Sequence, residues 1–445
     1  MPKPIVAIVP YEKPRASVRL AIRQSQGLDG LTRGSKVFVK PNIVFWSATG
    51  PFPKWGVITT SRVVEDMVAA LKDYGIDDIT IGEGMVAHQR DRHAPAHAFE
   101  YLGYNRLKQR YGVQTLNVME RPFETVDLGD DFRLNFNRDV LAADFVVNLP
   151  VLKTHVQTVV SLGIKNLKGL IDMPSRKRCH NADPQSDLHT WVARLADRLP
   201  PMFTLIDGIY SNERGPGPDG HIHRTNVLIA SRDVLAADLV GARVLGYEPQ
   251  QVPHLAMAAD NRQRSMDLSS VELTGTPIDR VCRSHAYGYE YDQATDGSWL
   301  PALLVAEGIQ GVSYPKYDTS MCTYCSRVNG LTLAAIRSAW KARDGRPWDR
   351  IEILTGKRMQ PTPGMHKTIL IGQCMVKAHR KNPEIREMIP VKGCPPQPID
   401  IYKALCQAGI EADREIFEKA DDRPALLMKR YHHRPMFDET LFRIA

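Results

Sequence analysis

The cysteines of this 445-residue chain are the residues most suited to chemistry, and they are unevenly distributed. Five of the seven fall between residues 322 and 406, and Cys322 and Cys325 form a C-x-x-C pair. Such clustering in a cytosolic chain favours metal or redox chemistry over disulfides. Thiolates bind zinc, copper(I) or iron–sulfur clusters, and four of them can close a [4Fe–4S] cube. The four candidate ligands are Cys322, Cys325, Cys374 and Cys394.

Two alternatives compete with an iron–sulfur cluster at these cysteines. A zinc site also uses four thiolates, but it usually draws them from two compact C-x-x-C knuckles. Buried, chemically inert cysteines are the second alternative. The long gaps before Cys374 and Cys394 favour a cluster at a sheet edge. Cys406 falls inside a predicted helix and is expected in the core, and Cys282 has no partner that the sequence reveals.

The elements around these cysteines are predicted to be α/β. Cys322 and Cys325 precede a helix, Cys374 ends a strand, and Cys394 lies in a loop before the last helix. Gly393 allows a close backbone approach there, and two prolines stiffen the loop. The predicted elements are strands at 350–354 and 368–372 and helices at 330–342 and 399–408.

This C-terminal module resembles the proximal-cluster domain of [NiFe]-hydrogenase small subunits and the related small subunit of respiratory complex I. The resemblance rests on the pair Cys322 and Cys325 with Ser326 after it, on Cys374 after a strand, and on Gly393-Cys394-Pro395-Pro396. It implies a flavodoxin-like fold in which the four cysteines hold a [4Fe–4S] cluster.

Strands alternate with helices through the first part of the chain, which predicts a mostly parallel, helix-covered sheet. The expected domains are an α/β domain over 1–255, an unassigned connecting region over 256–312, and the iron–sulfur module over 313–445. The predicted strands are 5–9, 36–39, 78–81, 145–149, 203–206 and 227–230, and the predicted helices are 17–26, 61–74, 191–199 and 234–245.

Several of these strands end in polar residues, and ligands gather at the carboxyl ends of parallel strands. Residues 151–180 are also rich in Lys and Arg, and they contain two histidines that could move protons near neutral pH. The sequence therefore predicts a basic site for a small anionic substrate. For residues 176–178 a solvated basic face is an equal alternative, and Glu83 could instead be a turn carboxylate that caps a helix. The predicted catalytic residues are Lys153, His155, His180 and Glu83, and the predicted substrate-binding residues are Lys40, Asn42, Lys165, Asn166 and Lys168.

Residues 36–240 resemble family 362 of the domains of unknown function. The resemblance implies a shared α/β fold and frequent association with iron–sulfur clusters, but no settled reaction. Many members carry ferredoxin-type cysteine runs, which this chain lacks. The resemblance to family 362 rests on the motifs Lys40-Pro41-Asn42, Gly82-Glu83-Gly84, Asn148-Leu-Pro-Val-Leu-Lys-Thr-His155, Lys165-Asn-Leu-Lys-Gly169, His180, Asp207-Gly208, Gly215-Pro216 and Asp238.

Composition argues against several classes of protein. The net charge of +8 is diffuse, without the basic arm typical of nucleic-acid binders. No run approaches the roughly 18 apolar residues of a membrane span, and the apolar run near the N-terminus is too short for a signal peptide. We therefore expect a cytoplasmic protein without a membrane partner. No zinc-hydrolase, dinucleotide or P-loop motif is present.

The sequence thus favours an iron–sulfur oxidoreductase that passes single electrons between a [4Fe–4S] cluster and an anionic small molecule. Two alternatives remain: a non-redox lyase or hydratase that uses the cluster, and an electron-transfer or assembly protein without its own substrate. The expected electron donor is a ferredoxin or flavodoxin, and a homo-oligomer is compatible with the sequence.

Overall fold

The structure, a computed structural model, describes residues 2–44, 46–48, 50–85 and 94–444. Its residues form two compact units. The first unit comprises residues 1–176, 189–288 and 424–445, and the second comprises residues 177–188 and 289–423.

A ten-stranded sheet forms the centre of the first unit, with the order β12-β1-β11-β10-β7-β2-β3-β4 and with β8 and β9 branching from β10. The pairs that join β7, β2, β3 and β4 are parallel, whereas β11 runs antiparallel to both of its neighbours. A separate hairpin joins β5 and β6. The strands are β1 (Ile5–Pro10), β2 (Val37–Pro41), β3 (Ile79–Glu83), β4 (Gln114–Asn117), β5 (Phe123–Asp127), β6 (Arg133–Asn137), β7 (Phe145–Leu149), β8 (Val151–His155), β9 (Val159–Val160), β10 (Met202–Glu213), β11 (His221–Ser231) and β12 (Glu272–Gly275).

Helices pack against this sheet through apolar faces. Helix α2 buries Val64, Met67, Val68 and Leu71 in the core of the first unit. Helix α9 starts where the Asp233 carboxylate accepts a hydrogen bond from the Ala236 N–H, a typical N-cap. The helices are α1 (Ala16–Gln24), α2 (Ser61–Asp73), α3 (Ala94–Tyr101), α4 (Tyr104–Tyr111), α5 (Arg138–Leu141), α6 (Gly163–Asn166), α7 (Met173–Arg178), α8 (Leu188–Ala193), α9 (Val234–Val244), α10 (Pro253–Asn261) and α11 (Ile278–Val281).

The second unit is built on a four-stranded parallel sheet whose strands follow chain order, β15-β16-β17-β18. A short hairpin, β13 with β14, precedes it. Helix α15 begins with Pro398 and ends at Gly409, whose φ of 97° gives a left-handed C-cap. The strands are β13 (Tyr291–Gln293), β14 (Trp299–Pro301), β15 (Val312–Ser313), β16 (Ile351–Leu354), β17 (Lys367–Ile371) and β18 (Met388–Val391), and the helices are α12 (Ala302–Ala306), α13 (Thr323–Ala342), α14 (Gln373–His379), α15 (Pro398–Ala408) and α16 (Glu415–Glu418), with α17 (Arg423–Leu427) at the return to the first unit.

The α/β class and the large, mostly parallel sheet expected from the sequence are confirmed. A flavodoxin-like sheet reverses its strand order after the first strand, and the strictly sequential order of the second unit does not show that reversal. Within the described part of the chain, no helix is both long and apolar enough to cross a membrane.

The units differ from the domain boundaries 1–255, 256–312 and 313–445 that the sequence suggests. The C-terminal residues belong to the first unit because Phe442 and Ile444 pack in its core and the Asp438 carbonyl accepts a hydrogen bond from Trp55. Residues 177–188 belong to the second unit, where Lys357 donates hydrogen bonds to the carbonyls of Lys177 and His180. The region 256–312 divides between the two units at Gly288.

Candidate functional site

A buried ion pair occupies the carboxyl ends of β2 and β3 in the first unit. Lys40 Nζ lies 3.0 Å from both carboxylate oxygens of Glu83, and the two side chains are 0% and 3% exposed. Glu83 also accepts hydrogen bonds from the N–H groups of Ile43 at 2.8 Å and Gly84 at 2.7 Å. A buried carboxylate requires such compensation, and here it comes from one cation and two backbone donors.

Buried amides extend this ion pair into a network. Asn42 donates to Asn166 Oδ1 at 2.8 Å, and Asn166 donates to Asn148 Oδ1 at 2.8 Å. Lys153 Nζ donates to Asn42 Oδ1 at 2.6 Å and to the carbonyl of Val57 at 2.8 Å. The structure thus brings together Lys40, Asn42, Glu83, Lys153 and Asn166, which the sequence assigned to catalysis or substrate binding.

Burial changes the protonation of the two lysines in this network. It lowers the pKa of Lys153 from 10.5 to about 7, although Glu83 counteracts the shift and Lys40 reinforces it. Burial also lowers the pKa of Lys40, again against the opposing charge of Glu83. Lys153 can therefore exchange a proton near neutral pH, as a general base must.

His155 ends β8 and is largely buried. The Gln157 N–H donates to its Nδ1 at 3.1 Å, so the neutral ring carries its proton on Nε2. The sequence places Lys153 and His155 directly after the strand 145–149, and in the structure both belong to the next strand, β8, all of whose residues are buried.

Three further basic residues from the stretch 151–180 belong to the first unit, Lys165, Lys168 and Arg176. Lys165 and Lys168 are partly exposed. Arg176 donates from Nη2 to the carbonyls of Gly84 at 2.7 Å and Gly169 at 2.8 Å, and so fastens the turn that follows Glu83. This bonding contradicts a purely solvated face for Arg176.

Two acidic residues of the N-terminal motifs support the backbone. Asp207 accepts hydrogen bonds from the N–H groups of Thr60 and Ile209. Asp238 accepts from those of Gly163 at 2.6 Å and Ile164 at 2.8 Å, where burial raises its pKa to about 7. These contacts position α2 and α6 beside the network.

The four candidate cysteine ligands all lie in the second unit. Cys322 is the N-cap of α13, and Cys325 lies in the first turn of that helix. Cys374 lies in the first turn of α14, and Cys394 follows β18. The loops after β17 and β18 are held together where the Gln373 N–H donates to the Gly393 carbonyl at 3.0 Å. Strand and helix ends therefore present these cysteines, as the sequence predicts.

The electrostatics of the thiols show that they lie near one another. The Cys325 thiol hydrogen-bonds to Cys322, which lowers the pKa of Cys322 and raises that of Cys325. Charges on Cys374 and Cys394 raise the pKa of Cys325 further. Burial is the largest cause of the raised pKa of Cys374, and charges on Cys322 and Cys394 add to it.

Among the described residues, no group of three or more His, Cys, Asp or Glu side chains has the arrangement to hold a metal ion. The ligands of a [4Fe–4S] cube surround a cage of iron and sulfide and each binds a different iron, so they need not converge on one point. Four cysteine thiols are the donor set that such a cluster uses.

The other cysteines lie apart from this set. Cys282 donates to the Arg243 carbonyl at 3.2 Å in the first unit. Cys406, which the sequence places in the core of the last helix, is exposed. It is on the solvent side of α15, whose buried residues are Ile401, Ala404, Leu405 and Ala408.

Basic residues approach the thiols from two segments. Cys394 raises the pKa of Lys177 against the effect of burial. The charge of Lys357 helps to lower the pKa of Cys322 and opposes the raised pKa of Cys374. His180 belongs to this unit rather than to the buried network, and its Nδ1 donates to the Thr319 carbonyl at 2.7 Å. The sequence did not identify Lys357, although it follows the carboxyl end of β16, which is the signal that identified Lys40 and Glu83.

Comparison with known proteins bears mainly on the first unit. The thylakoid-associated protein sll1697 of Synechocystis sp. is 27% identical over 264 residues, which cover 58% of this chain and 77% of that protein. The lactate racemase apoprotein from Thermoanaerobacterium thermosaccharolyticum matches with 14% identity and a TM-score of 0.31, over 54% of this chain and 56% of that protein. A TM-score this low supports neither a shared fold nor a shared reaction.

A family model agrees with the motifs of the N-terminal half. Residues 37–243 match the model described as Domain of unknown function (DUF362). The match includes the buried ion pair, the amide network and His155. The resemblance of this part of the chain to family 362 is therefore confirmed.

Proposed function

We propose that the protein is an iron–sulfur oxidoreductase in which Cys322, Cys325, Cys374 and Cys394 hold a [4Fe–4S] cluster. The observation that carries this proposal is the mutual electrostatic interaction of the four thiols at the edge of the second sheet. A bound cluster would supply one-electron transfer. Four cysteines complete its coordination, which favours electron transfer over chemistry at an open iron.

The protein residues around the thiols suit a site that holds negative charge. Lys177 and Lys357 bring two positive charges, and backbone N–H groups of Tyr324 and Cys325 point towards Cys322. A protein sets the reduction potential of a cluster through hydrogen bonds to the sulfurs and through nearby charges. The electron donor in this proposal is a small acidic carrier such as a ferredoxin or flavodoxin.

On the substrate side, we propose an anionic small molecule recognised by basic residues of the first unit. Lys165 and Lys168 are partly exposed and can contact a ligand. Lys40, Asn42 and Asn166 are buried and would support the residues that contact it. His155, with its proton on Nε2, and Lys153, with its pKa near neutrality, are the proposed proton carriers. Glu83 would fix the charge of Lys40, and His180 would act within the second unit.

Anaerobic reconstitution tests the cluster. We expect wild-type protein to show a broad visible absorption that reductant bleaches, and iron and sulfide near four of each per chain. Cys394→Ser should lower the iron content because it removes one ligand. Cys406→Ser is the matched control, since that exposed thiol lies apart from the set, and it should load like wild type. A colourless wild-type protein, or equal loading of both variants, would refute the proposal.

One observation favours a second candidate, an electron-transfer or assembly protein without its own substrate. Lys40, Glu83, Lys153 and Asn166 are buried, and their hydrogen-bond partners are other buried side chains and backbone groups, as expected of a structural network. The variant His155→Gln distinguishes the two candidate functions. In an oxidoreductase whose first unit binds substrate, this variant should lower substrate turnover. Electron transfer to a partner protein should stay intact under either function.

The cellular location is also a proposal. The sequence leads us to propose the cytoplasm, while the name of the Synechocystis relative suggests association with a membrane system. Fractionation of native cells decides between them: recovery in the membrane pellet after a low-salt wash would contradict the cytoplasmic location.

A further inference from the structure

We propose that residues 436–444, which we call the latch, hold the irregular loop 52–59 closed over the buried network and thereby control the access of solvent and ligands to Lys153. The latch, the loop and the network all belong to the first unit. The latch needs no cluster at the cysteines, so this inference goes beyond the proposed function and is tested separately from it.

The loop is buried although it forms neither a helix nor a strand. All of residues 52–59 are buried, whereas irregular segments usually run over the surface of a protein. The Val57 carbonyl accepts the hydrogen bond from Lys153 Nζ at 2.8 Å, and Thr59 Oγ1 accepts one from the Asn42 N–H at 2.7 Å. The loop is therefore one wall of the network, and its movement would expose Lys153.

The latch contacts the loop through an ion pair, a hydrogen bond and a ring contact. Glu439 Oε2 lies 3.0 Å from Lys54 Nζ, and the Asp438 carbonyl accepts a hydrogen bond from Trp55 Nε1 at 3.1 Å. The Phe437 ring packs edge-on against the Trp55 ring, with 5.3 Å between the ring centres. These contacts cover a loop that would otherwise meet water.

Two further features fix the latch to the first unit. The Tyr210 hydroxyl on β10 donates to the Met436 carbonyl at 2.8 Å and accepts from the Asp438 N–H at 3.0 Å. Phe442 and Ile444 pack in the core. The latch can thus leave the loop at residues 436–441 while its end stays anchored.

The contact with Lys54 is suited to release. No residue from 436 to 441 is buried, and the Glu439 side chain is 31% exposed against 2% for Lys54. Glu439 Oε1 is buried and has no hydrogen-bond partner within the described residues. Such an oxygen gains hydrogen bonds when it moves into water, which lowers the cost of opening.

Peptide-resolved hydrogen exchange of the full-length protein tests the latch. The N–H groups of Val57 and Ile58 donate to the Lys54 carbonyl, so their exchange reports opening of the loop. Glu439→Gln, which removes the charge but keeps the size of the side chain, should speed this exchange about tenfold. The control Glu124→Gln removes a 60% exposed carboxylate from another ion pair of the same unit and should leave the exchange unchanged.

Acylation of Lys153, followed by mass spectrometry, tests whether the opening reaches the network. The reaction is run at about pH 8, where a lysine with a pKa of about 7 is largely neutral and reactive. Lys153 is 0% exposed, so the wild-type protein should react slowly. Glu439→Gln should react about tenfold faster, because the loop opens more often. Faster exchange without faster acylation would refute control of access, since the latch would then only pack the loop.

Unchanged exchange of the loop in Glu439→Gln would refute the latch itself. Should Glu439→Gln unfold the first unit as a whole, Tyr210→Phe provides the same comparison, because it removes the hydrogen bonds to Met436 and Asp438 without changing any charge. Equal exchange of the loop in wild type and Tyr210→Phe would then be equally contrary. A protein that binds no cluster refutes the proposed function but leaves these measurements unaffected.

Discussion

Breaking the buried ion pair between Lys40 and Glu83 should destabilise the first unit strongly. Glu83→Gln leaves the Lys40 ammonium buried without a counter-charge, and Lys40→Met leaves the carboxylate with only backbone donors. Removal of one partner of a buried pair costs about 3–5 kcal/mol, because the remaining charge is uncompensated. The double variant should cost less than the sum of the two single variants by at least about 1 kcal/mol.

The size of this effect follows from burial. The exposed pair Lys419 and Glu415 on α16, whose side chains are 62% and 69% exposed, is the matched control. Water screens an exposed pair and its side chains lose entropy when they pair, so the corresponding cycle should give a coupling of about 0.5 kcal/mol or less.

Urea denaturation combined with peptide-resolved hydrogen exchange measures these free energies of unfolding. Hydrogen exchange is needed because two units need not unfold in one transition. Peptides from β2 and β3 report on the first unit, and peptides from α15 report on the second unit, which contains the control pair. Strictly additive single and double variants, or a coupling no larger than that of the control pair, would refute the assignment of Lys40 and Glu83 as a mutually dependent buried pair.

Two further predictions concern the same network. Gly169→Ala would bring its Cβ into a steric clash with Glu83 Oε1, and we expect a loss of about 1–3 kcal/mol in the free energy of unfolding measured with urea. Gly34→Ala, where nothing lies within 4 Å, should have little effect, and equal behaviour of both variants would contradict the close packing. Because burial lowers the pKa of Lys153 to about 7, the unfolded chain binds more protons than the folded protein between pH 7 and 10.5. The free energy of unfolding should rise with pH across that window by up to about 1.4 kcal/mol per unit from this group. Lys153→Met should reduce the slope of the free energy of unfolding against pH. An unchanged slope would contradict the lowered pKa of Lys153.

Local patterns in the sequence predict much of the fold. The alternation of strands and helices identifies β2, α2, β3, β7 and α9 within a few residues, because periodicity and turn residues act over short distances. Polar residues at the ends of β2 and β3 likewise mark the buried network before its contacts are known. Residues 157–170, with two glycines, gave no clear pattern and form β9, α6 and a 3-10 turn.

The exposure of the site residues could not be read from the sequence. Lys40, Lys153 and Glu83 are charged, so the sequence suggests an open pocket, yet all three are buried. Lys40 pairs with Glu83, and Lys153 donates to Asn42 and to the Val57 carbonyl. A buried charge depends on partners far along the chain, such as Asn166 for Lys40, and local pattern carries no information about such pairs.

The sequence by itself determined the α/β class and the motifs of family 362, and it predicts the four cysteines as a set. The tertiary structure alone assigned residues 177–188 to the second unit and residues 424–445 to the first. It thereby assigned His155 and His180 to different units, and it placed Lys177 in the same unit as the four candidate cysteines. The physical reason is that such assignments depend on hydrogen bonds and packing between distant segments, whose free energy no local periodicity encodes.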